Sequence, residues 1–80
     1  MNKLYCAKTK SGHILIRCAT LDYLETKFEF TLNDLVEAEH LQRGEVLSRR
    51  LRIKTTSELY NSLYSSDKGG YYSVSIECEN

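Results

Sequence analysis

The chain has 80 residues, 41% hydrophobic and 28% charged, and its basic and acidic residues balance to no formal net charge. That composition belongs to one small folded domain with a single modest core, with no room for a second catalytic unit. Zero net charge argues against a protein held to nucleic acid by an overall basic surface and against an acidic mimic of DNA, and no stretch is apolar for the length of a bilayer.

Leu4, Cys6 and Lys8 alternate with Lys3, Tyr5 and Ala7, the period of a strand. Lys10, Ser11, Gly12 and His13 predict a hairpin turn, because glycine takes the positive backbone angle that short loops need. Ile14, Ile16 and Cys18 then face one way, with Leu15 and Arg17 opposite, giving a second strand. Thr20 to Glu25 is ambiguous. Leu21 and Leu24 have helical spacing, yet Lys27, Phe28, Glu29 and Phe30 alternate and predict a third strand with both phenylalanines in the core.

Thr31 reads as a helix cap, with Asp34 in the third position and a hydrophobic staple between Phe30 and Leu35. Leu32, Leu35 and Val36 form the expected buried stripe, Asn33, Asp34, Glu37 and Glu39 lie outside it, and Gly44 ends the helix. From Glu45 two patterns compete. A strand puts Leu47, Leu51 and Ile53 on one face and Val46, Ser48, Arg50, Arg52 and Lys54 on the other. A helix running on through Gly44 would line up Val46, Leu47 and Leu51, at about 1 kcal/mol for the internal glycine. The strand is preferred from about Leu47 to Lys54, because Thr55 and Glu58 have capping-box spacing and need a non-helical lead-in.

Leu59, Tyr60, Leu63 and Tyr64 share one face of the helix that this cap predicts, and Gly69 and Gly70 stop it. Tyr72, Val74, Ile76 and Cys78 then alternate with Tyr71, Ser73, Ser75 and Glu77 as a half-buried last strand. The order β-β-β-α-β-α-β predicts an α+β fold, an antiparallel or mixed sheet of about four to five strands with two helices on one face. The terminal strand is a candidate sheet edge, which leaves the chain as a monomer or a homodimer.

Charge is zoned along this order. Residues 1–20 carry Lys3, Lys8, Lys10 and Arg17 with no acid; residues 21–42 set Lys27 against Asp22, Glu25, Glu29, Asp34, Glu37 and Glu39. Residues 43–54 hold Arg43, Arg49, Arg50, Arg52 and Lys54 against Glu45, and the remainder is net acidic. Zoned charge on a neutral body suits an oriented protein contact. Arg49, Arg50 and Arg52 are a candidate grip for phosphates or an acidic patch, against the plainer reading of an outer strand face solvated or paired with the acidic helix.

Six tyrosines are many for this length, and Tyr71 and Tyr5 are the ones expected at the surface, where tyrosine serves as an interface anchor. Cys6, Cys18 and Cys78 are odd in number and unpaired in spacing, as expected of small buried strand residues in a reducing compartment. Pairing of two of them stays open for an exported protein. A zinc site would need His13 or His40 as a fourth ligand without the usual clustered pairs, and neither histidine sits in a catalytic motif. Gly69 and Gly70 precede a strand, whereas phosphate-cradling loops precede a helix.

No cofactor, metal or catalytic residue is therefore expected. The chain reads as a small cytoplasmic protein-binding module, of the size and style of phage or mobile-element inhibitors that occlude a surface of a larger complex. Its contact residues would be Asp34, Glu37, Glu39, Arg49, Arg50, Arg52 and Tyr71. The alternative is a nucleic-acid-binding module using Arg43, Arg49, Arg50, Arg52 and Lys54.

Overall fold

The computed structural model describes residues 3–54 and 71–80, running β1 (Tyr5–Thr9), β2 (Ile14–Ala19), α1 (Leu21–Lys27), β3 (Phe28–Glu29), α2 (Leu32–Glu39), β4 (Val46–Ile53) and β5 (Tyr71–Cys78). The helix expected from Thr55 and its stop at Gly69 and Gly70 lie outside the described residues. Neighbouring strands pair antiparallel in the order β2-β1-β5-β4-β3, so the fold is α+β with one curled antiparallel sheet. Among the described residues no helix is long and apolar enough to cross a membrane.

The alternation read in the last strand holds: Tyr72, Val74, Ile76 and Cys78 are buried, and Leu47, Leu51 and Ile53 on β4 join them in the core. Its place in the sheet is different from expectation. β5 is the middle strand, bonded to β1 on one side and β4 on the other, so it offers no edge to a second copy. A strand's own pattern reports its two faces and says nothing of its neighbours. Among the described residues the edges are β3, two residues long, and β2, which carries two register shifts; short and bulged edges resist pairing with other chains.

Those shifts also break the alternation expected in β2. Tyr5 faces Ala19, Ala7 faces Ile16 and Lys8 faces Ile14, so extra residues bulge out of the ladder. Cys18 sits in one bulge with φ of 58° and is exposed, which corrects the expectation of three buried cysteines; Cys6 and Cys78 are buried. Before β2 the expected hairpin is present, closed by the Thr9 amide donating to the His13 carbonyl at 2.8 Å, with Gly12 at φ of +93°.

The ambiguous segment after β2 is helical. Thr20 caps α1 by accepting from the Tyr23 amide at 3.2 Å, and Leu24 is fully buried. The expected third strand shrinks to Phe28 and Glu29, pairing with Ile53 and Arg52. Phe28 is in the core, while Phe30 packs half-buried against it, its ring 6.4 Å from that of Phe28 in an edge-to-face arrangement.

Tyr5, expected at the surface, is 1% exposed. It lies on an inner strand beneath α2, and its hydroxyl donates to the Ala38 carbonyl at 2.9 Å, which lets a tyrosine be wholly buried. Burial, followed by the nearby Cys78 and Glu39, pushes its phenol pKa up. Lys3 closes the same helix end, its Nζ donating to the carbonyls of Glu39 (2.5 Å) and Leu41 (2.7 Å). The helix stops at Glu39 with His40 as its cap; Gly44, at φ of +86°, turns the chain into β4 instead of ending the helix.

Replacing Tyr5 with Phe keeps the ring and deletes the bond to Ala38. Thermal unfolding of Tyr5→Phe should show a loss of about 1 kcal/mol, a drop of about 4–8 °C in Tm, because a buried hydrogen bond is lost while the ring stays in place. An unchanged Tm would mean that the hydroxyl does not tie α2 to the sheet.

Candidate functional site

A capping box starts α2 as the sequence predicts. The Asp34 amide donates to the Thr31 hydroxyl at 3.1 Å and the Thr31 amide to the Asp34 carboxylate at 3.0 Å. The other Asp34 oxygen meets Arg49 Nε at 3.3 Å, and Arg49 Nη2 reaches Glu37 at 2.6 Å. The hydrogen bond to Glu37 raises the Arg49 pKa most; burial opposes it, and the charges of Glu37 and Asp34 add to the rise.

This contact turns α2 away from its expected orientation. Asp34, predicted outside the buried stripe, is 8% exposed, and Ala38, four residues on, is fully buried on the same side. Leu32 and Val36, predicted inside, are 76% and 44% exposed. The helix presents its smallest apolar residue and its capping acid to the sheet, so a close approach and an ion pair replace the apolar stripe. Leu32 and Val36, one turn apart, therefore stand in solvent with exposed Glu37 and Glu39 beside them, and Tyr23 on α1 is 48% exposed.

The arginine cluster is divided by strand alternation. Arg49 has the parity of Leu47 and Leu51 and turns toward α2, while exposed Arg50 and Arg52 turn to the opposite face of the sheet. Arg43 is exposed in the turn before β4, and Lys54 just after it, its amide donating to the Lys27 carbonyl at 2.9 Å. The five cations do not form one patch.

On the outer face the register fixes four rungs: Val46 with Glu77, Ser48 with Ser75, Arg50 with Ser73, and Arg52 with Tyr71. Tyr71 is 39% exposed, as the sequence predicts. Lys10, from the β1–β2 hairpin, completes a groove of about 450 Å³ over Ser48, Arg50, Ser73 and Ser75. The Ser48 and Ser75 hydroxyls are 3.2 Å apart, and Lys8 pairs with Glu77 at 3.2 Å at the groove's far end. Sequence reasoning placed Ser48 and Ser75 on outward faces but missed their meeting, which depends on cross-strand register.

The residues with potential chemistry are scattered. His13 is exposed in the hairpin, and His40 caps α2 with Nδ1 2.7 Å from the Val36 carbonyl. Among the described residues no three of His, Cys, Asp and Glu converge as metal ligands. Glu79 accepts from the Cys18 amide at 3.1 Å and, chiefly by hydrogen bonding, holds that thiol's pKa up.

Cys18, the one exposed cysteine, should be the thiol that a maleimide labels in the native protein. A raised pKa means less thiolate at neutral pH, so labelling should be slower than for a free thiol and should quicken as pH rises. Glu79→Gln should speed it at neutral pH, as followed by intact mass; equal rates would remove the role given to Glu79. No protein-family model, curated protein or solved structure matches this chain, so function is argued from its surfaces.

Proposed function

We propose that this chain is a non-catalytic protein-binding module that docks the outer face of α2 onto a larger protein assembly and occludes the surface beneath. The observation that carries this reading is the exposed pair Leu32 and Val36, at 76% and 44%, on a helix whose inward side is already committed to the sheet. An amphipathic helix bound in a groove is read through such i and i+4 anchors. Exposed Glu37 and Glu39 stand on the same helix, so the fitting partner has an apolar groove with a basic rim. Of the residues first expected at the contact, Glu37 and Glu39 remain in it; Asp34 and Arg49 hold the helix in place.

Small size and segregated charge suit an inhibitor of the phage or mobile-element type, acting in the cytoplasm. The cytoplasmic setting is supported by the free thiols Cys6, Cys18 and Cys78.

A tagged chain incubated with lysate of its source cell, with and without nuclease, tests the reading. Wild type should retain a stoichiometric, nuclease-resistant protein, and Leu32→Asp with Val36→Asp should weaken that complex by at least about tenfold while leaving the fold intact by circular dichroism. Both side chains are already in solvent, so their replacement leaves the core alone. Retention unaffected by the two substitutions would overturn the docking face.

A further inference from the structure

The groove on the other side of the sheet is not used by this docking face. We propose that it binds a short stretch of single-stranded nucleic acid, with Lys10 and Arg50 on backbone phosphates, the Ser48, Ser73 and Ser75 hydroxyls donating to phosphate or sugar oxygens, and Tyr71 stacking on a base beside Arg52.

Four observations converge on this ligand. The groove, about 450 Å³, has no carboxylate among the described residues that line it, although the chain as a whole is neutral. The acid nearest along β5, Glu77, is already paired with Lys8 at 3.2 Å. Lys10 is exposed and has no carboxylate partner among the described residues. Serines in place of longer side chains leave a trough, and hydroxyls supply donors without adding an opposing charge.

The geometry favours a strand-like polyanion. Outward positions on β5 repeat every ~6.8 Å, so Tyr71, Ser73 and Ser75 form a row with about the span of successive extended nucleotides. At its end Tyr71 stands directly opposite Arg52. Glu29 faces Arg52 from β3 and makes no ion pair with it. An exposed aromatic at the end of a cationic track is what sequence-tolerant single-strand binding requires, since every base offers a face to stack. The cations differ from the cluster suggested by sequence alone: Arg49 borders the groove but its charge is paired with Asp34 and Glu37, and Lys10 enters from a different hairpin.

The test is fluorescence anisotropy with labelled single-stranded DNA and RNA of about 10 nucleotides, between about 50 and 200 mM salt. With two phosphates engaged, by Lys10 and Arg50, affinity should fall roughly sevenfold over that range. Lys10→Ala and Arg50→Ala should each weaken binding and flatten the salt dependence, because each removes a phosphate contact. Tyr71→Ala should weaken it about tenfold with the salt dependence unchanged, and Tyr71→Phe should retain it. Ser73→Glu, which sets a carboxylate in the groove, should abolish it.

Absence of saturable binding at low salt would overturn the proposal, as would affinity indifferent to Lys10→Ala and Arg50→Ala. Equal affinity for inorganic phosphate or a mononucleotide would overturn it as well, since a single anion would then suffice. Leu32→Asp should leave oligonucleotide binding unchanged, so this face and the docking face succeed or fail separately.

Discussion

The salt bridge between Asp34 and Arg49 fixes the relation of the helical layer to the sheet. α2 has eight residues, too few for a helix to persist on its own, so its orientation is set by what it touches. At its first turn Asp34 caps the helix with one oxygen and takes Arg49 with the other. At its last turn the Tyr5 hydroxyl donates to the Ala38 carbonyl and the Lys3 ammonium to the carbonyls of Glu39 and Leu41. Both ends are thus pinned by polar groups from the sheet or its approach, with Ala38 small enough to let the backbones come close. Partly exposed ion pairs stabilise little, so the main effect of this pair is to choose which side of α2 faces inward.

That choice makes both candidate surfaces. Turning Asp34 and Ala38 inward forces Leu32 and Val36 outward, because residues four apart share a face and the other face must then be opposite. Drawing Arg49 under α2 removes it from the arginine run and leaves Arg50 and Arg52 with the serines on the far side of the sheet. A different rotation of the helix would bury the apolar pair and release a third arginine.

Local signals in the sequence were reliable where one element decides its own structure. The capping box at Thr31, the turn at Gly12 and the alternation of β4 and β5 all appear as read, since each depends on neighbours within a few residues. Readings failed where a partner decides. Tyr5 is buried because Ala38 offers it an acceptor; β5 is central because β1 comes back to it; α2 turns because Arg49 is waiting on β4. Cys18 escaped for a related reason: a bulge is defined by a mismatch between two strands, and neither strand shows it alone. The candidate groove was half legible, its serines and arginines placed by parity and its Lys10 supplied by topology.

Net charge is a poor summary of such a molecule. The acidic segment folds into α1, β3 and α2, while Arg50, Arg52 and Lys10 come to the far side of the sheet, where Glu29 and Glu77 also stand, so the fold regroups charges that the sequence keeps in separate segments. Packed layers are about 10 Å apart and the Debye length at physiological salt is about 8 Å, so in solvent each face acts on a partner with little interference from the other. The neutral total then has a use of its own: it suppresses indiscriminate attraction at long range while leaving each face able to orient a partner that has come near. A chain with the same residues scattered evenly would keep the neutrality and lose the orientation.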